Sequence, residues 1–154
     1  MKKSYLTLIA LLMLFATQAQ TITEADLVGE WKPLYIQVNG CTYNFKTDDL
    51  TLSDDIIAEE KKKGNDVGGI KNEFKNLLKA RGFNDLTFIF KPEKVLEWLK
   101  DDKVNVLKYS IISKKKALYL KLEGAGELKV DLKDGFFKLL DEGTGFEVTF
   151  EKIQ

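Results

Sequence analysis

Residues 117–150, with the sequence ALYLKLEGAGELKVDLKDGFFKLLDEGTGFEVTF, contain four short strand-like runs, and three of them clearly alternate apolar and polar side chains. The runs 117–122, 127–132, 136–140 and 146–150 are separated by glycine-containing turns, one of which is the hairpin dipeptide Asp134-Gly135. Strands with one apolar and one polar face form antiparallel sheets that bury a single side. The stretch therefore predicts four successive antiparallel strands.

Four further strand-like runs precede this stretch. Residues 31–38 end at the turn dipeptide Asn39-Gly40, and residues 86–90 and 104–112 are apolar and bounded by turn residues. Residues 92–102 fit either a short helix, because Pro92 suits a first helical position, or a strand between two turns. We favour the strand because it makes the series of hairpins continuous. Eight strands in this order predict an antiparallel up-and-down barrel, since closure removes exposed sheet edges.

A helical insertion is predicted at about residues 53–81, between the first and second of these strands. Ser53, followed by Asp54 and Asp55, is typical of a helix start, and Gly64 marks the end of that helix. A second helix, from Gly68 to Ala80, carries an apolar stripe made of Ile70, Phe74, Leu77 and Leu78. We expect the stripe to pack on Leu34, Ile36 and Val38, which strict alternation places opposite Trp31 on the first strand.

Composition excludes several classes of function. The 154 residues contain 24 basic and 24 acidic side chains, and only one of the basic residues is an arginine, so no nucleic-acid partner is expected. The chain has no histidine and one cysteine, Cys41, which excludes histidine-based catalysis and an internal disulfide. We predict no catalytic residues, no cofactor and no metal. A weak calcium site at Asp48, Asp49, Asp54 and Asp55 is the alternative, although their spacing does not match a calcium loop.

The first twenty residues have the pattern of a secretory signal peptide. Lys2 and Lys3 precede an apolar run of about eleven residues, shorter than the roughly twenty that span a bilayer, and Ala19 offers a cleavage point. We predict that residues 1–20 are removed. Residues 21–154 then form one exported domain, periplasmic or extracellular.

The start of the first strand, Gly29-Glu30-Trp31, resembles the Gly-x-Trp motif of the lipocalins and related calycin barrels. The runs Leu-Thr-Phe-Ile-Phe, Leu-Tyr-Leu-Lys-Leu and Phe-Glu-Val-Thr-Phe extend the resemblance to secreted bacterial lipocalin-like domains along the mature chain. The resemblance implies that Trp31 closes one end of the barrel. It also implies a basic residue stacked on that tryptophan, for which only Lys152 is available, in place of the usual arginine.

The resemblance and the apolar strand faces together predict non-catalytic binding of a small hydrophobic ligand inside the barrel. Candidate ligand contacts are Trp31, Tyr35, Phe88, Phe90, Trp98 and Tyr109. The alternative is a packed barrel without a cavity, which would act as an interaction module and meet an envelope protein through the helical insertion. We expect a monomer in both cases. The expected inward-facing residues are Leu86, Phe88, Phe90, Leu107, Tyr109, Ile111, Leu118, Leu120, Leu122, Leu128, Val130, Leu132, Phe146, Val148 and Phe150.

Overall fold

Ten strands form one antiparallel sheet in the computed structural model, which describes residues 22–100, 103–115 and 117–153. The predicted signal peptide, Asp101, Asp102 and Lys116 lie outside the described residues. The strands are β1 (Gly29–Val38), β2 (Cys41–Asn44), β3 (Asp49–Leu52), β4 (Thr87–Lys91), β5 (Val95–Lys100), β6 (Lys103–Lys114), β7 (Ala117–Leu122), β8 (Gly126–Lys133), β9 (Phe136–Asp141) and β10 (Phe146–Lys152).

Eight of these strands close into a ring, because β1 pairs with β4 along one edge and with β10 along the other. The ring runs through β1 and then β4 to β10 in chain order, so the predicted eight-stranded antiparallel barrel is confirmed. Residues 92–100, the described part of the stretch 92–102, combine the two structures considered for it. A short 3-10 helix, Pro92–Lys94, leads directly into strand β5, which pairs with β4 and β6.

The sequence did not reveal the hairpin formed by β2 and β3. Its four-residue strands are too short to show a clear alternation, and their Cys-Thr-Tyr-Asn and Asp-Leu-Thr-Leu sequences mix both residue types. The hairpin pairs with the last four residues of β1. Asn39 and Gly40 connect β1 to β2 with positive φ angles of 46° and 76°, as the hairpin turn predicted from this dipeptide requires.

A β-bulge in β1 changes which side chains face inward. The pairing of β1 with β10 shifts register between Pro33 and Tyr35, so one extra residue enters the strand. Trp31 and Ile36 therefore both reach the core, with 1% and 0% of their surface exposed, whereas Tyr35 turns outward. The expectation that Ile36 lies opposite Trp31 was wrong, because strict alternation does not survive an inserted residue.

The core fills the barrel with the side chains that alternation predicts. All fifteen residues expected to face inward are buried or packed against the core. Several other buried residues were not predicted, chiefly because they lie in the unrecognised hairpin or have one adjacent apolar residue that obscures the alternation. These additional core residues include Tyr43, Leu50, Leu52, Leu96, Phe137 and Leu139.

In the described part of the chain, three α-helices lie at the two ends of the barrel: α1 (Glu24–Leu27), α2 (Asp54–Lys62) and α3 (Val67–Ala80). Helix α1 precedes the first residues of β1 and contacts the 3-10 helix, and we call this end the base. Helices α2 and α3 follow β3, whose last residue lies level with the far end of β1, and we call that end the mouth. No helix in the described segments is long and apolar enough to cross a membrane.

The helical insertion begins and ends close to the predicted residues. Ser53 precedes α2, although its side chain makes no capping hydrogen bond, and Asp66 caps α3 by accepting hydrogen bonds from Gly68 and Gly69. Phe74 and Leu78 pack on the core, while Leu77 of the same stripe is exposed. The stripe is therefore turned mainly toward the barrel.

Candidate functional site

Trp31 lies at the base, where the lipocalin resemblance places it. Its indole Nε1 donates a buried hydrogen bond to the carbonyl oxygen of Leu27 at 2.7 Å, and the Lys152 amine lies 5.2 Å from the centre of its rings. A Cβ atom added to Gly29 would come within 2.6 Å of the Lys152 side chain. Gly29 also has a φ angle of 133°, which side chains rarely adopt. The glycine thus leaves room for the cation over the tryptophan.

Aromatic rings fill the interior above this seal. Phe137 lies 5.6 Å from Trp31 and 5.4 Å from Phe90, measured between ring centres. Phe88 continues the stack toward the mouth, at 4.8 Å from Phe150 and 6.4 Å from Trp98. Contacts at these distances are typical of packed aromatic side chains. Two of the predicted ligand contacts, Trp31 and Phe90, therefore belong to a packed core. We call this core the aromatic column; it consists of Trp31, Phe88, Phe90, Trp98, Phe137 and Phe150.

Tyr109 packs on the aromatic column at 5.1 Å from Phe90. Its hydroxyl oxygen is buried and, within the described part of the chain, has no hydrogen-bond partner. Burial, and secondarily the charge of Glu24, raises the pKa of this phenol above its ordinary value. Tyr109 was predicted as a polar ligand contact, and it lies inside the barrel.

A cavity of about 210 Å³ opens where the aromatic column reaches the mouth. Phe88 and Trp98, both predicted as ligand contacts, form one wall of it. Phe83 and Leu86, from the segment that connects α3 to β4, form another. We call this space the mouth cavity; its lining residues are Arg81, Gly82, Phe83, Leu86, Phe88, Trp98 and Lys100.

The end of helix α3 builds one side of the mouth cavity. The amide of Gly82 donates to the Lys79 carbonyl, and that of Phe83 donates to the Leu78 carbonyl, at 2.9 and 3.2 Å. These two bonds form a Schellman motif, which requires a left-handed residue after the helix, and Gly82 has a φ angle of 66°. The reversal places Phe83 over the mouth, 6.1 Å from Phe146.

The charged side chains of the mouth cavity are both cations, Arg81 and Lys100. Within the segments that the structure describes, neither has a carboxylate within 4.0 Å. Sequence analysis did not select these two residues. The one feature of the sequence that could have pointed to this site is the single arginine of the chain, Arg81, which directly precedes the helix-ending Gly82.

A larger open groove of about 370 Å³ lies on the outer surface of the barrel. It is bordered by the exposed rings of Tyr35 and Phe136, and charged side chains line much of it: Asp131, Lys133, Asp134 and Lys138. Tyr35 was predicted as a ligand contact inside the barrel. The bulge in β1 places it on the outside instead, so the structure separates it from the other five predicted residues.

Asp48 connects the β2–β3 hairpin, which the sequence did not reveal, to helix α3. Its carboxylate accepts a hydrogen bond from the Tyr43 hydroxyl and lies 3.5 Å from the Lys75 amine and 3.8 Å from that of Lys79. The Tyr43 hydrogen bond, followed by the lysine charges, lowers the pKa of Asp48. Burial, with the same hydrogen bond, raises the pKa of Tyr43 to about 12. Asp48 thus holds the helical insertion against the barrel.

The remaining groups with possible metal or thiol chemistry are the carboxylates and Cys41. Among residues 22–100, 103–115 and 117–153, no three side chains of His, Cys, Asp or Glu are grouped as a metal site would require. Asp48, considered for weak calcium binding, is engaged by the lysines of α3. Cys41 is a half-buried free cysteine packed on the core, and burial raises the pKa of its thiol, which disfavours the reactive thiolate.

Fold and site together define a class: a small closed antiparallel barrel, sealed by a tryptophan at its base, with an apolar cavity at its mouth. Comparisons with protein-family models, with curated proteins and with solved structures found no match to this chain. The functional interpretation therefore depends on the geometry of the barrel and its mouth cavity.

Proposed function

We propose that this protein is an exported, lipocalin-like, non-catalytic binding protein that holds a small hydrophobic ligand at the mouth of its barrel. The observation that carries the proposal is the mouth cavity, whose walls are four apolar side chains: Phe83, Leu86, Phe88 and Trp98. Ligand sites in proteins are concave and largely apolar, with a few polar groups that fix orientation. The proposal places the ligand above the aromatic column, because the column fills the barrel below Phe88.

Binding can be tested with the fluorescent probe N-phenyl-1-naphthylamine, an uncharged apolar molecule whose emission rises in apolar surroundings. We expect saturable enhancement with the purified protein as the cell exports it. Trp98→Ala should weaken probe affinity by about tenfold or more, because it removes one wall of the cavity. Val106→Ala is the matched control, since Val106 lies on the neighbouring strand and is exposed. Equal affinities in the two variants, or no saturable binding by the wild type, would refute the proposal.

A packed barrel that acts as an envelope interaction module is the second candidate. The filling of the lower barrel by the aromatic column favours it, as do the exposed rings of Tyr35 and Phe136 on the outer groove. Phe74 and Leu78 pack on the core, so the helical insertion would present Leu77 to a partner. This candidate predicts no probe binding, and a partner whose capture is lost in the variant Leu77→Lys.

Export is part of the proposal and has its own measurement. Expression in a bacterium, followed by intact-mass analysis of the purified protein, should show the loss of the first 19 or 20 residues. The same sample, analysed by light scattering during size-exclusion chromatography, should contain monomers. Retention of residues 1–20 would remove the exported location from the proposal.

A further inference from the structure

We infer that the mouth cavity selects single-chain amphiphiles that carry an anionic headgroup, with Arg81 and Lys100 as the headgroup contacts. The inference rests on the proposed function and adds a class of ligand to it. It follows from two independent features of the mouth cavity: its walls are apolar, and both of its charged side chains are positive. A neutral apolar ligand would use only the first of these features.

Arg81 is held at the edge of the cavity by the end of helix α3. It is the last residue before the left-handed Gly82, and its amide donates to the Leu77 carbonyl at 3.0 Å. A cation at this position interacts favourably with the carbonyl end of the helix. The side chain itself is exposed, so its guanidinium can form two parallel hydrogen bonds to a carboxylate without first breaking an ion pair within the described residues.

Lys100 approaches the same edge from the barrel wall. It lies two residues after Trp98 on β5, so alternation places both on one face of the strand. Lys103 pairs directly with Lys100 across the hairpin and shares that face. Asp85, which lies between Phe83 and Leu86 in the chain, is exposed and does not line the cavity. Among the described residues, the charged side chains placed at this edge are therefore positive: Arg81, Lys100 and Lys103.

The size of the cavity limits the apolar part of the ligand. Its volume of about 210 Å³ corresponds to roughly seven molecules of liquid water. A single short alkyl chain fits this space, whereas the two acyl chains of a membrane phospholipid do not. The tail would lie against Trp98 and Phe88, and the headgroup would remain at the solvent-exposed edge, where the cations are.

The test compares octanoate with 1-octanol, which have the same chain length and differ in headgroup charge. Each is titrated against the complex of the purified protein with N-phenyl-1-naphthylamine, and displacement of the probe is measured. We expect octanoate to bind about five- to tenfold more tightly than octanol, a modest ratio because Arg81 is exposed and Lys100 is only half-buried. High salt should reduce this preference, since it screens the headgroup contact but not the burial of the tail.

Charge-removing variants locate the headgroup contact. The double variant Arg81→Gln, Lys100→Gln should bind octanoate and octanol equally, with both affinities measured by displacement of the probe from the variant itself. Arg81→Lys, which keeps the charge, should retain most of the preference. Lys133→Gln, in the outer groove, is the control that should change nothing. If the wild type binds the probe without preferring octanoate, or if the double variant keeps the preference, the inference is overturned and the proposed function stands. If the probe does not bind, both fail.

Discussion

Gly29, Trp31 and Lys152 form a unit at the base of the barrel. The indole nitrogen is buried and has the Leu27 carbonyl as its partner, while the Lys152 amine covers the ring face. A cation over a tryptophan contributes about 0.5–1 kcal/mol at an exposed site. The lysine can serve this contact in place of an arginine, because the lack of a side chain at Gly29 lets it approach.

The Trp31 hydrogen bond gives a first prediction. Trp31→Phe keeps an aromatic ring at the base but leaves the Leu27 carbonyl without its donor. We expect a loss of unfolding free energy of about 1–3 kcal/mol, the typical cost of an unsatisfied buried polar group. Urea unfolding followed by circular dichroism measures it. Trp98→Phe, at the half-buried mouth, should cost less, and equal losses would mean that the base hydrogen bond contributes little.

Tyr109 leads to a prediction of the opposite sign. Its hydroxyl is buried without a partner among the described residues, so Tyr109→Phe removes a desolvation cost and no hydrogen bond. The variant should be as stable as the wild type or more stable by about 1 kcal/mol. Because burial raises the pKa of Tyr109 in the folded state, the wild type loses stability as pH rises above the ordinary value of 10.0. The variant should lose less over that range.

The opposite result is equally informative. If Tyr109→Phe destabilises the protein by more than about 1 kcal/mol at neutral pH, the hydroxyl has a hydrogen-bond partner, such as a buried water molecule.

Among the elements, the β2–β3 hairpin and helix α3 depend on each other. The hairpin turn carries Asp48, and α3 presents Lys75 and Lys79 to it. Lys75 also donates to the backbone carbonyl of Asp48. The contact positions the whole helix, including its last turn, from which Arg81 and Phe83 reach the mouth cavity. The mouth is thus shaped partly by an ion pair on the outside of the barrel.

Acid should loosen this contact before it unfolds the barrel. The folded pKa of Asp48 lies below its ordinary value of 3.8, so its contribution to stability is complete above that value. The contribution is lost as pH falls through the folded pKa. Hydrogen exchange measured by mass spectrometry at decreasing pH should show earlier loss of protection, after correction for intrinsic rates, in residues 67–80 than in β8–β10.

Asp48→Asn is the variant that isolates the charge. In this variant, hydrogen exchange of α3, corrected for intrinsic rates, should already be faster than in the wild type at neutral pH. The acid dependence specific to this helix should disappear. Asp54→Asn, at the start of α2, is a control because Asp54 forms no ion pair with α3 in the described part of the chain. If helix α3 exchanges at the same rate in wild type and Asp48→Asn, the ion pair does not hold the insertion in place.

At the scale of the whole molecule, the aromatic column connects strands that are distant in sequence. Phe137 of β9 contacts Trp31 of β1, Phe90 of β4 and Phe150 of β10. The β1–β10 pairing closes the ring around the same side chains. Because the closure and the column share their residues, we expect the barrel to unfold as one cooperative unit.

Phe137 and its neighbour Phe136 provide a matched test on one strand. Phe137 is fully buried and Phe136 is 42% exposed. Phe137→Ala should lower the unfolding free energy by about 3–5 kcal/mol, whereas Phe136→Ala should change it by less than about 0.5 kcal/mol. In the wild type, tryptophan fluorescence and far-ultraviolet circular dichroism should report the same urea midpoint. Separate midpoints would show that the base and the wall unfold independently.

Only part of the mouth cavity could be predicted from the sequence. Phe88 and Trp98 could be selected because they are aromatic and lie in recognisable strands. Arg81, Phe83 and Lys100 could not, since their role depends on a helix end and a strand end that meet only in the folded chain. Tyr35 was placed on the wrong face because a single inserted residue in β1 reverses the alternation that follows it.

The sequence alone determined the eight barrel strands, the helical insertion and fifteen of the core residues, because alternation, turn dipeptides and helix starts are local properties of the chain. The tertiary structure decided the closure of β1 on β10, the bulge that turns Tyr35 outward, and the additional β2–β3 hairpin. It also decided that aromatic side chains occupy the lower barrel and that the mouth cavity opens where the aromatic column ends. These features depend on how distant strands pack against one another, which local patterns do not encode.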